Sequence, residues 1–383
     1  MIDWRPRAER LAEELSRAGA LTDPRWADAL RAVPRHVFVP QFHELSSDGG
    51  WEVVSASSDP ARWAERIYSD RSLVTVLAST PGLLDGHPVP ISSSTMPSLM
   101  VRMQELLDVK AGMNVVEIGT GTGYNAALLC ELLGAERVTT VELHPGVAAD
   151  ARERLSSIGL HPTVVVGDGR AGAPLAAPYD RLIATCGADR VPGTWVSQLT
   201  EGGRIVVDLC SESSSGLAVL DKTDPARVSG RFVGRSGHFM WMRPDLDYPF
   251  RDPRLAAPVP AGDDRATVRD VTVHPAELDE PGLRTLIGIA LPEVQIPSTH
   301  VRSLHVGDGS WARLSDDGDT VTEGGPHQLW NRLEHLTDLW RQLGSPETNR
   351  YGVDVDTSGR HVFWLDQRSA PLPYEIPPYP TTQ

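Results

Sequence analysis

A doubly wound, mostly parallel α/β sheet with a smaller α+β region behind it is the fold class this sequence predicts. Three observations carry it. From residue 113 onward, apolar runs of strand length alternate with helix-length amphipathic stretches. The first run, V-V-E-I-G-T-G-T-G-Y from Val115 to Tyr124, passes straight into a glycine-rich turn and then a good helix former. The chain's 383 residues exceed one average domain, and the alternation stops near Arg243.

The elements follow in order. Residues 7–19 place Leu11 and Leu15 on one helical face. Asp23-Pro24 suits a helix entry, with Trp26, Leu30 and Val33 as the apolar face and P-R-H-V-F-V-P (34–40) as its end. Residues 41–66 read as irregular, and Tyr68 to Leu77 as an edge strand. A Gly/Pro loop (81–90) leads to I-S-S-S-T-M (91–96), and Pro97 suits the first turn of another helix.

Seven strands are expected, at 114–118, 138–142, 163–166, 179–185, 203–209, 216–221 and 237–242, with helices including 125–133 and 146–158. Ligands of such sheets sit beyond the carboxyl ends of the strands. The first strand ends in Glu117 and the glycines, the second in Glu142, the third in Gly167-Asp168-Gly169. A Pro-rich connector (244–264) closes this first domain, 1–244, whose residues 1–90 are a helical and loop part. The second domain, 245–383, carries helix faces at Leu283/Leu286/Ile287 and Leu329/Leu333/Leu336/Trp340. Its short strands fall near 302–306, 311–314 and 320–323. A hairpin is expected over 351–365, and an extended Pro-rich tail from Ala370.

Composition narrows the function. Net charge is −15 with no run of Lys or Arg, and Lys110 and Lys222 are the only lysines, which argues against a nucleic-acid or anionic-membrane partner. Cys130, Cys186 and Cys210 are odd in number and far apart, so neither a disulfide framework nor a metal site is indicated. Buried thiols in a cytoplasmic protein are expected. No apolar run approaches membrane-spanning length, and M-I-D-W-R-P-R lacks the apolar core of a signal peptide.

The glycines decide the nucleotide type. A dinucleotide site would show G-x-G-x-x-G. Here Gly119, Gly121 and Gly123 alternate, and E-x-G-x-G-x-G resembles motif I of class I methyltransferases, which have a Rossmann-like sheet and bind S-adenosylmethionine. Glu142 can accept both ribose hydroxyls from the end of the second strand, and Asp168, with Gly169 after it, can accept the adenine amine. Glu117, Gly119, Thr120, Gly121 and Gly123 complete the expected cofactor site.

Residues 5–244 resemble the protein-L-isoaspartate O-methyltransferases. The resemblance rests on I-S-S-S-T-M-P-S-L-M-V-R-M-Q-E-L-L before motif I, on P-R-H-V-F-V-P, on Y-S-D at 68–70, on V-G-D-G at 166–169 and on Y-D-R-L-I-A-T at 179–185. L-x-x-G-G-R-I-V-V at 199–207 belongs with them. The resemblance implies methyl transfer from S-adenosylmethionine to a carboxylate of a peptide or protein, with Ser92 as the active-site hydroxyl. It implies Ser93, Thr95, Thr185 and Cys186 as substrate contacts. Two departures stand out. Ser94 and Thr95 replace the family's proline and ring, and Asp189-Arg190 are added after the fourth strand. With the region after 244, they make the chain similar to the family's long members, which resemble enzymes that modify ribosomally made peptides; that resemblance implies methylation of one chosen Asp, the ester then closing to an aspartimide. Repair of isoaspartyl residues in many proteins is the alternative, and a non-catalytic S-adenosylmethionine-binding regulator is the alternative of another class. A small-molecule methyltransferase is disfavoured by the I-S-x-x-x-M segment.

Overall fold

The structure, a computed structural model, describes residues 2–47, 49–79, 88–234, 236–246, 266–296 and 303–377. The chain begins as a helical layer. Helix α1 (Arg5–Arg17) buries Ala8, Leu11, Ala12 and Leu15. Helix α2 (Pro24–Ala32) starts where the Asp23 carboxylate accepts the Arg25 N–H, with Pro24 in the first turn. A single turn, α3 (Arg35–Phe38), follows.

Residues 41–66, read as irregular, are ordered into strand β1 (Gln41–Leu45), strand β2 (Trp51–Ser55) and helix α4 (Pro60–Ile67). Only Phe42 and Val54 of the two strands are buried, so period-two alternation is too weak to read. Strands β3 (Leu73–Ser79) and β4 (Pro88–Ser94) complete an antiparallel sheet in the order β2-β1-β3-β4. The I-S-S-S segment is therefore strand, as are residues 88–90 of the loop expected before it, and the rest of that loop, 81–87, lies outside the described residues. Helix α5 (Pro97–Leu107) follows at once.

The large sheet then builds up from β5 (Val115–Ile118), β6 (Val138–Glu142), β7 (Thr163–Val166), β8 (Tyr179–Ala188) and β9 (Leu199–Cys210). These pair in parallel, with α6 (Tyr124–Leu133), α7 (Pro145–Ser157) and α8 (Gly193–Gln198) as crossovers. Strands β10 (Ser215–Asp224) and β11 (Arg227–Phe232) continue it as antiparallel hairpins. Residues 237–242, expected as the seventh strand, make only an isolated parallel bridge, Gly187 to Trp241, because R-V-S-G-R-F has taken the place beside β10.

Beyond residue 244 the connector over 247–264 lies outside the described residues. Strands β12 (Thr267–Asp270), β13 (Ser303–His305), β14 (Trp311–Leu314) and β15 (Thr320–Gly324) form their own antiparallel sheet, ordered β12-β15-β14-β13. Helices α9 (Pro281–Ala290) and α10 (Leu329–Gln342) turn their expected apolar faces inward, with Trp340 only half-buried at the end of the second. The chain does not end as a separate body. Strand β16 (Tyr351–Asp356) pairs with β11, and β17 (His361–Leu365) and β18 (Pro371–Ile376) follow it. The large sheet thus has ten strands rather than seven, in the order β18-β17-β16-β11-β10-β9-β8-β5-β6-β7. The Pro-rich tail is strand up to Ile376, and 378–383 lie outside the described residues. One apolar cluster runs from Val116 and Val207 through Val353 to Leu286 and Trp330, so the two regions share a core.

Candidate active site

Where β5 ends, the chain turns through Gly119 (φ +97°), Gly121 (φ +52°) and Gly123 (φ +88°), a left-handed run that L side chains resist. A Cβ on Gly119 would stand 3.1 Å from Thr185 Oγ1, whose hydroxyl donates to the Gly119 carbonyl at 2.7 Å. A Cβ on Gly121 would project toward Ser93 O and Ser92 Oγ, at 3.6 and 3.7 Å. The turn is therefore a bare backbone floor facing β4. Above it lies a cleft of about 920 Å³, mouth included, at the carboxyl ends of β5, β6 and β8. Its walls hold Ser92, Ser93, Thr95, Glu117, Gly119, Thr120, Gly121, Glu142, Gly169, Thr185 and Cys186. All but two of the residues expected at the site are brought together there. The exceptions are Gly123, which packs on Ala151 of α7, and Asp168.

The three acids differ in use. Glu142 lines the cleft and accepts Gly121 N–H at 2.9 Å and His144 N–H at 3.0 Å. A carboxylate so fixed still has lone pairs for a vicinal diol. Glu117 is fully buried, taking Asn125 Nδ2–H and Thr140 Oγ1–H, each at 2.7 Å. Gln104 donates onward to Asn125 at 2.6 Å, and the Thr140 and Thr120 hydroxyls meet at 2.6 Å. Burial pushes the Glu117 carboxyl up to about 7. At the cleft's wall it ties β5 to β6 and α6, with both its oxygens already engaged. Asp168 is turned to Arg170, accepting its N–H at 2.9 Å and its Nε–H at 2.8 Å. Gly169 alone carries that turn to the wall, since a Cβ there would lie 3.2 Å from Met242 Sδ.

The opposite wall is β4. Ser92 is 5% exposed, and its oxygen accepts the Thr75 hydroxyl at 3.2 Å, which leaves its own hydrogen to donate. Cys186 is no nucleophile, since burial pushes its thiol up to about 12. The added Asp189 and Arg190 pair with each other at 3.1 Å outside this cleft, and Arg190 also donates to Pro377 O at 3.0 Å.

Two groups escaped the sequence reading. Arg35, fully buried in P-R-H-V-F-V-P, donates to Ile67 O, Ser69 O and Arg71 O, and across to Ser94 Oγ (3.2 Å) and Thr95 O (3.1 Å). Its guanidinium also lies 5.7 Å from the ring centre of Tyr124, a cleft residue. It pins the serine strand from behind. The second group is the strap Phe239 to Arg243, which closes one side of the cleft. Gly187 donates to Met240 O at 2.8 Å and accepts from Met242 N at 2.7 Å. The apolar run F-M-W-M signals burial on a sheet, but nothing in it signals a cleft wall.

Comparison with known proteins agrees with this geometry. The family model described as protein-L-isoaspartate (D-aspartate) O-methyltransferase matches residues 84–236. A protein-L-isoaspartate O-methyltransferase of Aeropyrum pernix is 35% identical over 225 residues, 58% of this chain and 74% of that relative. One of Methanopyrus kandleri is 33% identical over 237 residues, 60% of this chain and 89% of the other. A solved protein-L-isoaspartate O-methyltransferase superposes with a TM-score of 0.53 at 22% identity, covering 91% of this chain and 96% of its own. At that identity the likeness is one of fold, and it takes in most of the region after 244.

Proposed function

The chain belongs to the protein-L-isoaspartate O-methyltransferase family, and we propose that it methylates the free carboxylate of an isoaspartyl residue in a polypeptide, with S-adenosylmethionine as its cofactor. One observation carries the site assignment: a buried serine hydroxyl with a hydrogen to donate stands beside the left-handed glycine turn, in the wall of the same cleft. The cleft suits the cofactor, since side chains at Gly119 or Gly121 would fill its cradle, and Glu142 is the acceptor for a ribose diol. Asp168 would serve the adenine amine only by a swing away from Arg170.

When bound there, the cofactor supplies an electrophilic methyl group on a sulfonium, a good leaving group. The protein's part is placement. The α-carboxylate that an isoaspartyl linkage leaves free, with an ordinary pKa of about 3.3–3.7, is already ionised at neutral pH and needs no general base. Ser92 donates to one carboxylate oxygen and leaves the other to form the new O–CH₃ bond. Thr185 and Cys186 bound the carboxylate's pocket, while Arg35 holds Ser94 and Thr95 in register. Alignment of this kind is worth roughly 7–11 kcal/mol at best. The free, buried or half-buried cysteines support a reducing, cytoplasmic setting.

A second reading, one chosen Asp in a dedicated peptide followed by ring closure to an aspartimide, is favoured by Ser94-Thr95 and by Asp189-Arg190. The region after 244 does not add to it, because the fold likeness to a protein-L-isoaspartate O-methyltransferase extends there. Mass spectrometry separates the two readings. Incubation with an isoaspartyl peptide and with its Asp counterpart should add a methyl group to the first only. Net loss of water from the Asp peptide would reverse the order. Ser92→Ala should keep S-adenosylhomocysteine affinity and lower methyl transfer by about 10²-fold. Turnover at the wild-type rate would remove Ser92 from the site.

A further inference from the structure

A second cavity, of about 450 Å³ with its mouth, opens at the same end of the large sheet, on the far side of the strap. It is formed by the β9–β10 hairpin, by α9 and by β17–β18, so it exists only because the region after 244 returns to the sheet. Its walls are apolar, with Phe232, Ile289, Phe363 and Ile376, and the hydroxyls of Ser211 and Ser214 stand at the hairpin. His361 at its back is neutral. Its Nε2 accepts Val191 N–H at 2.9 Å, its Nδ1 faces Gly359 O at 3.0 Å, and burial pushes it down to about 4. The acid in the wall, Asp189, is paired with Arg190. No unpaired cation among the lining residues would receive an acidic side chain.

The two cavities are neighbours along β8 and the residue that follows it. Thr185 and Cys186 of β8 line the first, and Asp189, three residues beyond Cys186, lines the second. At about 3.3 Å per residue the step is about 10 Å. The partition is thin. A Cβ on Gly187 would sit 2.8 Å from Cys210 Sγ, in the second cavity's wall, and 3.3 Å from Phe239 O, in the strap. An extended polypeptide whose carboxylate lies against Thr185 and Cys186 covers a step of about 10 Å in about three residues.

We propose that this cavity is a subsite for an apolar side chain of the polypeptide substrate, two to four residues from the methylated one. The assignment rests on the polypeptide carboxylate reading above and adds to it a preference. Apolar walls without a free cation favour a leucine or phenylalanine over an aspartate.

The test uses the full chain saturated with S-adenosylhomocysteine and labelled isoaspartyl heptapeptides that carry Leu or Asp at each position two to four residues away. Anisotropy should show about tenfold tighter binding of the Leu peptide at one of these positions. Thr285→Trp, which fills the cavity from α9, should erase that difference, and Phe363→Leu should shift the preference toward a larger side chain. Retained S-adenosylhomocysteine binding reports that each variant is folded. Equal binding of Leu and Asp peptides by the wild type overturns the subsite, as does a Leu preference untouched in both variants. Turnover of an isoaspartyl tripeptide, too short to reach the cavity, is read separately. Its absence would count against the activity, while the Leu–Asp difference in binding alone decides the subsite.

Discussion

The two halves of the ten-stranded sheet solve different problems. In the parallel half, β9-β8-β5-β6-β7, every strand but β9 is followed by a crossover, so the carboxyl ends stay open and a cleft forms between them. In the antiparallel half, β10-β11-β16-β17-β18, most strands are tied to neighbours by short turns, and a cavity forms where α9 lies against the sheet. The open half holds left-handed glycines and a buried acid. The closed half holds a buried neutral histidine and ion-paired rims such as Arg360–Glu375. Reactive sites come readily from the first arrangement, whereas the second offers shape and selectivity.

The largest test of that contrast asks whether the halves are energetically one. Leu286 of α9 is fully buried in the cluster that also holds Val116 and Val207. Leu286→Ala should cost about 2–5 kcal/mol in a single urea transition, with loss of S-adenosylhomocysteine binding on the same curve. Two separate transitions would show that the halves unfold independently.

A smaller effect is confined to the open half. Glu142→Ala should weaken S-adenosylhomocysteine binding by roughly 1.5–3 kcal/mol, the range for a hydrogen bond to a charged group, and leave urea stability without ligand nearly unchanged. Calorimetry showing full affinity would remove Glu142 from the ribose role.

The smallest effect sets the halves against each other through pH. Glu117 is raised from 4.5 to about 7, so the fold keeps a proton the unfolded chain has lost, and its contribution falls as pH rises across that span. His361 is lowered from 6.5 to about 4, so the unfolded chain binds the extra proton and its contribution grows as pH rises from about 4 to 6.5. Where the spans overlap, the two slopes oppose each other. Glu117→Gln should expose the histidine slope, with stability rising by roughly 1–3 kcal/mol between pH 4.5 and 6.5. A flat profile in that variant would mean that His361 takes up its proton inside the fold.

Residues with a local signature were legible. The alternate glycines, Glu142 at a strand end and I-S-S-S-T-M before a proline-initiated helix each declare their geometry within a few positions. Alternation over 351–365 revealed a hairpin, but not that β11 would be its neighbour, because pairing across such a separation leaves no local trace. Arg35 was opaque for a related reason. Its role is set by five oxygens from segments 32 to 60 residues away, and an arginine in a short helical turn looks solvated. Strands β1 and β2 stayed hidden because one buried residue each gives no period. Asp168 was read from its position after an apolar strand, and no such reading could foresee Arg170 turning it aside.

The pairing of β11 with β16 also has a temporal side. Roughly 120 residues lie between Phe232 and Tyr351. A ribosome adding about 5–20 residues per second needs roughly 6–24 s to cross that gap. Throughout it, the nascent sheet ends in β11 with its outer N–H and C=O groups unclaimed, an invitation to strands from neighbouring polysomes. Arg227 and Arg231 on that edge, later bonded to Asp354 and Arg350 O, are the charges that guard it while the chain is still being made.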